Sequence, residues 1–220
     1  MRELTPEPLT AEAFAPFGDV LRDLERVVLP GLTHWQHPAF YGYFPANGEL
    51  SGVLGDLLST GLGALGLSWQ AGPALTELEE VTTDWVRRMT GLSDSWRGVI
   101  QDTASTTTLV ALLCARERRS GESMRRGGLQ GEAHPLVVYA SAQAHSSVEK
   151  GALLAGFGRG NLPVGPHDER WAMRAGALAA MVGEDARAGR IPCAVVATTG
   201  TTARTALDPV RAIPAAAPAH

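Results

Sequence analysis

Lysine is nearly missing from this chain. The 220 residues carry 19 basic side chains, and Lys150 is the single lysine among them. No basic block stands out and the net charge is −4, so binding to a nucleic-acid backbone has no electrostatic support. Cysteine is as sparse. Cys114 and Cys193 cannot form a disulfide framework and read as small buried hydrophobes of a reducing compartment. No apolar run approaches the roughly 18 residues that a membrane span needs. The opening Met1-Arg2-Glu3-Leu4-Thr5-Pro6 lacks the basic-then-apolar profile of a signal peptide, so the expected location is cytoplasmic. The polar segment 103–108 has neither the GxGxxG nor the GxxxxGK[ST] pattern, which leaves a nucleotide motif there unsupported.

What remains is globular: 45% hydrophobic and 19% charged residues, enough apolar side chain for one ordinary domain or a little more. Val20, Leu21, Leu24, Val27 and Val28 have helical spacing, closed by Pro30-Gly31. Residues 32–50 crowd histidine, aromatic, proline and glycine together. That mixture excludes a regular helix or buried strand and suits a loop that lines a pocket. Residues 51–67 are helical in part. Thr76-Glu77-Leu78-Glu79 reads as a capping box opening a helix that ends at Gly91.

From Gly98 the chain alternates. Gly98-Val99-Ile100 is expected as a short strand, Leu109–Arg118 as a helix, Leu136–Ala140 as a buried strand and Ala144–Leu154 as a helix. A helix over Arg170–Ala188 and a strand over Ala194–Thr198 follow. The strands are apolar throughout, the pattern of a mostly parallel α/β sheet with flanking helices. Ligands of open α/β sheets bind where strands end, and three polar segments occupy such ends: 102–108, 143–147 and 199–202.

Each segment has a plain reading and a chemical one. Thr103-Ala104-Ser105-Thr106 follows a strand and opens a helix, so its free N–H groups, hydroxyls and helix dipole suit a phosphate; it is equally an N-cap with surplus threonines. His145 either caps the helix it opens or offers a flat ring to a flat ligand. Thr199-Gly200-Thr201-Thr202 is a turn or a set of hydroxyls facing a ligand edge. His34 and His37 have no acidic partner at metal spacing, so no metal site is expected. The arginines from Arg116 to Arg126 read as a solvated face.

Together these segments resemble the pyridoxal-phosphate-dependent group II decarboxylases, the aromatic L-amino-acid decarboxylase family. Five stretches carry the resemblance, in order between Asp19 and Arg211. They are Thr33-His34-Trp35-Gln36-His37-Pro38 with Tyr43-Phe44-Pro45; Ser68-Trp69 with Pro73-Ala74-Leu75-Thr76-Glu77-Leu78-Glu79; Gly98-Val99-Ile100-Gln101 with Thr103-Ala104-Ser105; Gln143-Ala144-His145-Ser146-Ser147-Val148-Glu149; and Val196-Ala197-Thr198-Thr199-Gly200-Thr201-Thr202.

The resemblance implies part of the large domain of a fold-type I pyridoxal enzyme, dimeric in the family, acting on a small amino-acid substrate. It implies that Ala104 and Ser105 hold the cofactor phosphate, that His145 stacks on the pyridine ring, and that Thr202 hydrogen-bonds beside it. Trp35, Tyr43, Phe44, Pro45 and Leu65 would line the pocket for the substrate side chain. The organisation expected is an atypical arm over 1–18, a helical and pocket-loop segment over 19–97, an incomplete cofactor-binding domain over 98–213 and a non-matching tail over 214–220. The family's cofactor-bearing lysine and its pyridinium-pairing aspartate lie beyond the Asp208-Pro209-Val210-Arg211 region. Little turnover is therefore expected of these 220 residues alone, and a non-catalytic fragment is the alternative. Asp102 places an acid beside the expected phosphate loop. Thr5 to Val20 also resembles the opening of ureidoglycolate lyases, a family expected to be β-rich.

Overall fold

The computed structural model describes residues 17–44 and 48–213. Apart from Phe17 and Gly18, the arm over 1–18 lies outside them, as do Pro45 and the tail over 214–220. The chain divides into two compact units, residues 1–63 and 64–220.

In the first unit, α1 (Phe17–Asp23) runs on through a π-helical stretch, Leu24–Val28, and a last turn, Leu29–Gly31. The helical spacing around Val20 and the stop at Pro30-Gly31 are borne out. α2 (Leu50–Gly61) follows an irregular segment that carries the aromatic cluster. Leu50, Val53, Leu57, Leu58 and Leu62 on and after α2 are all exposed.

In the second unit, α3 (Pro73–Met89) begins at the N-cap Gly72, with proline at its first position, which needs no N–H there. It ends in Thr90 and a left-handed Gly91, whose N–H donates to Arg88 O while Leu92 N–H donates to Arg87 O. The expected capping box is not formed. Thr76 lies inside the helix, where its hydroxyl donates to Gly72 O, and the Glu79 carboxylate accepts from Ile100 N–H at 2.6 Å. The expected strand at 98–100 is not formed either. A strand needs a ladder partner, and this segment instead lies against α3, with Gly98 so close that a Cβ there would sit 2.5 Å from Thr83 Cβ.

The rest is a three-layer α/β arrangement. α4 (Ala104–Ser120), β1 (Leu136–Ser141), α5 (Ser146–Leu154), β2 (Val164–Gly165), α6 (Ala175–Arg187) and β3 (Ile191–Val196) follow in order. The strands form one parallel sheet, ordered β2-β1-β3. β1 is buried at all six positions, as its uninterrupted apolar run requires. Leu136 and Val138 face one side, packing with Leu112 of α4, Ala152 of α5, Ala155 and Phe157. Val137 and Tyr139 face the other, packing with Leu178 and Val182 of α6 and with Met173 and Ile213. Fully burying such aliphatic side chains stabilises a fold by about 1.5–3 kcal/mol each. The ladder between β1 and β3 slips between Val137 and Val138, where Pro192 has no N–H to contribute.

α6 starts five residues later than the expected Arg170. Asp168 closes a turn by accepting from Arg170 and Ala172 N–H groups, and that turn takes residues 168–172 out of the helix. β3 likewise begins and ends earlier than expected, because its register follows β1 from Leu136. Cys114, expected as a buried hydrophobe, is exposed on α4.

Candidate functional site

The carboxyl ends of β1 and β3 lie at the same edge, since the two strands are parallel neighbours. β1 leads through Ala142, Gln143 and Ala144 into His145 at the start of α5. β3 leads into the loop 197–208, which carries Thr202. α4 reaches this edge by packing alongside α5 in the same direction. A Cβ at Gly151 would lie 3.4 Å from Leu112 Cδ1 and 3.5 Å from Leu109 N, and further on the Arg116 guanidinium donates to Ala155 O at 2.6 Å. The N-termini of the two helices are therefore at one end, and the three expected polar segments all lie toward the carboxyl end of the sheet.

At the start of α4, Thr103 is the N-cap. It is extended (φ −145°, ψ 159°), its Oγ1 accepts from Thr106 N–H at 3.2 Å and its carbonyl accepts from Thr107 N–H at 3.0 Å. The N–H groups of Ala104 and Ser105 come too early in the helix to find a carbonyl within it. Both residues are exposed. Two outward amides, the Ser105 hydroxyl and the positive end of a 17-residue helix make a cradle for an anion. The plain N-cap reading and the anion reading thus belong to different residues of one turn.

His145 caps α5. Its Nδ1 accepts from Ser147 N–H at 3.2 Å and lies 2.9 Å from Ser147 Oγ. With Nδ1 accepting from the amide, the neutral ring carries its proton on Nε2. The residue is exposed, so the cap fixes the ring while leaving a face open. His145 also borders a cleft of about 300 Å³ between α5 and β2, walled by Ala144, Leu162, Val164 and the Glu149–Arg159 ion pair. Ala104, Ser105 and Thr202 are not part of that wall. The four residues share an end of the sheet, but this cleft holds only His145 of them.

Thr202 is exposed, next to a Thr201 that is buried. Thr201 Oγ1 accepts from Ala206 N–H at 3.0 Å, and the Gly200 and Thr201 N–H groups both donate to Ala206 O. The turn expected at 199–202 is therefore a closed loop that presents Thr202 outward.

In the first unit, Trp35 stacks on Tyr43 at 5.1 Å between ring centroids and 5° between planes, and on Phe40 at 5.4 Å. Tyr43 takes a left-handed conformation (φ 55°), uncommon for a side chain of this size. Phe44 is exposed. Leu65, in the second unit, is exposed as well, and its carbonyl approaches Gly72 so closely that a Cβ there would lie 2.2 Å from it. Among the described residues no group of three or more His, Cys, Asp or Glu is placed to hold a metal ion, and no helix is long and apolar enough to cross a membrane.

Two acids with long reach were missed by local reading. Glu79 ties α3 to the segment that enters α4, and Asp208 ties the loop after β3 to the chain before α6.

The family profile described as the pyridoxal-dependent decarboxylase conserved domain matches residues 1–218. The chain belongs to the pyridoxal-dependent decarboxylase family. It is 43% identical over 203 residues to the aromatic-L-amino-acid decarboxylase of Sus scrofa, which covers 87% of this chain and 41% of that protein. Among solved structures it is similar to tryptophan decarboxylase of Catharanthus roseus in complex with L-tryptophan, with a TM-score of 0.86, 34% identity, and coverage of 97% of this chain and 46% of that one. Oryza sativa TDC with PLP and tryptamine gives a TM-score of 0.84 at 36% identity, covering 98% and 47%. The chain thus spans less than half the length of these relatives. The family match takes in residues 5–20, the stretch that also resembles ureidoglycolate lyases, and the described residues, with one three-stranded sheet among their helices, do not make the β-rich fold expected of that family.

Proposed function

We propose that this chain supplies the pyridoxal 5'-phosphate cradle of an amino-acid decarboxylase whose substrate is an aromatic or related L-amino acid, released as an amine and CO2. The observation that carries the reading is the shared edge: two free helix amides, an oriented exposed imidazole and an outward threonine, in a chain of this family. The cradle suits the cofactor's phosphate, which needs donors that no other group has claimed. Ala104 and Ser105 would bind it through their N–H groups and the Ser105 hydroxyl. His145 would hold the ring by its open face, with its cap to Ser147 keeping the imidazole from rotating. Thr202 would donate or accept a hydrogen bond at the ring's margin. The bound cofactor supplies an electron-withdrawing ring that takes up the electron pair left behind by departing CO2.

Trp35, Tyr43, Phe44, Pro45 and Leu65 would meet the substrate side chain. The Trp35–Tyr43–Phe40 stack supports this, because a pre-stacked set of rings offers flat apolar surface to an aromatic side chain at little further entropy cost. A homodimer is part of the proposal. On α3 alone Trp85, Val86 and Met89 are all exposed, the kind of apolar face that a partner chain would cover.

The test uses pyridoxamine phosphate, which has the ring and phosphate but no aldehyde to react with Lys150. It should quench tryptophan fluorescence on binding, pyridoxamine without phosphate should bind far less, and Ser105→Ala should narrow the gap between them. Equal affinity for the two would defeat the phosphate assignment. Sedimentation velocity on the same sample tests the dimer.

A further inference from the structure

We infer that Asp208 is a positioning residue: its buried carboxylate sets the loop that presents Thr202 at the edge of the sheet. The inference rests on the proposed cofactor site and adds a residue that does not touch the ligand.

Asp208 is 4% exposed. Its Oδ1 accepts from Met173 N–H at 2.7 Å, and its Oδ2 accepts from Thr198 N–H at 2.8 Å. Its own N–H donates to Thr198 O at 2.9 Å, so side chain and backbone both close on Thr198. One carboxylate thus joins three places: the first residues beyond β3, the far end of the Thr202 loop, and the chain leading into α6. Between Thr198 and Asp208 the loop is tied across by the Thr199–Leu207 bridge and by the bonds of Thr201 to Ala206. A second tie joins the same two segments on the outside, where the Arg204 guanidinium lies 4.2 Å over the Trp171 ring.

Burying a carboxylate is costly, and it is tolerated only where hydrogen bonds satisfy the charge. Apolar packing could close a surface loop without that cost. What a carboxylate adds is direction: two oxygens in a fixed plane, each taking a backbone N–H from a different segment. With the loop ends fixed and Thr201 held inside, the backbone at Thr202 is tied on both sides and its side chain is left outside.

The test is a mutant cycle on the 220-residue chain. Asp208→Asn keeps one acceptor oxygen but turns an NH2 toward the other backbone amide, so one of the two bonds is lost. Losing such a bond speeds exchange of the affected amide by about tenfold. The expected result is faster hydrogen exchange confined to residues 198–208 and Met173, with β1 unchanged. Pyridoxamine phosphate affinity should fall roughly two- to tenfold, the same loss that is expected of Thr202→Val if it removes one hydrogen bond to the ligand. The double variant should bind no worse than Thr202→Val alone, because Asp208 acts only through Thr202. Additive losses, or exchange that rises across β1 as well, would show a general structural role and overturn the inference. So would an unchanged loop. If Thr202→Val leaves affinity intact, the role given to Thr202 at the cofactor fails. Exchange then decides the loop claim by itself: a confined rise sustains it and any other pattern overturns it.

Discussion

Replacing His145 by asparagine, phenylalanine and alanine separates the two tasks given to that residue. The cap runs from Ser147 N–H to Nδ1 at 3.2 Å, and Ser147 is buried, so losing the acceptor strands an amide that water reaches poorly. An N-cap replaced by alanine costs about 1 kcal/mol, within a range of roughly 0.5–2. For a chain of this length that lowers the melting temperature by about 2–4 °C per kcal/mol. Asparagine is among the best capping residues and should hold stability near that of the parent. Phenylalanine cannot cap and should melt with alanine. Ligand binding should rank the variants differently. A stacked ring contributes about 0.5–1.5 kcal/mol beyond the area that it buries, a factor of roughly 2–13 in affinity. Phenylalanine keeps that contribution; asparagine and alanine lose it. Thermal melts and pyridoxamine phosphate titrations on the four proteins therefore give crossed orders: parent and asparagine the more stable pair, parent and phenylalanine the tighter pair. If asparagine binds as well as the parent, the ring does not touch the ligand. If asparagine melts with alanine, the capping account is wrong.

Gly98→Ala should destabilise the second unit by about 1–3 kcal/mol, since the new methyl would lie 2.5 Å from Thr83 Cβ; a urea midpoint within experimental error of the parent's would refute that packing. Asp102→Asn should tighten pyridoxamine phosphate binding roughly two- to fivefold at low salt, with the gain shrinking as salt is added, and an unchanged affinity would mean that the phosphate does not sit at α4. Burial pushes the Cys193 thiol up to about 11, so near pH 8 only about one molecule in a thousand carries its thiolate, and the exposed Cys114 should be alkylated first. The neutral Cys193 thiol also makes a pH-dependent contribution to stability. Its folded pKa lies above its unfolded one, so the contribution is complete below the ordinary thiol range and is lost as pH rises from about 9 to 11. Cys193→Ala should flatten that alkaline loss, and an identical pH profile in the variant would contradict it.

The parts legible in the sequence are those whose cause is local. β1 shows itself because burial on both faces demands an unbroken apolar run, and Leu136 to Ala140 is one. α4 shows itself through its cap, and α1 through spacing and Pro30-Gly31. The three edge segments were found because a parallel sheet places its loops predictably. The misreadings fall where a distant partner decides. Val99 and Ile100 have strand-forming side chains, yet nothing pairs with them, and both remain exposed. Residues 170–174 have helix-forming side chains, yet Asp208, 35 residues on, holds Met173 out of the helix, beside a turn closed by Asp168 that local reading also missed.

Glu79 shows how such a misreading arises, and why it bears on the site. Thr76 and Glu79 have the spacing of a capping box, and a box would have satisfied two local amides. The helix instead starts four residues earlier, with Gly72 as N-cap and Pro73 at the first position, which needs no N–H partner. That frees the Glu79 carboxylate to accept from Ile100, 21 residues away and four residues before Ala104. Asp208 repeats the arrangement at the other end of the edge, with partners 35 and 10 residues away. Each of these two segments is thus held by a carboxylate that accepts backbone N–H from far along the chain. Side chains that face the ligand can be read from strand ends. The acids that fix their positions are visible only once the chain has brought distant amides to them.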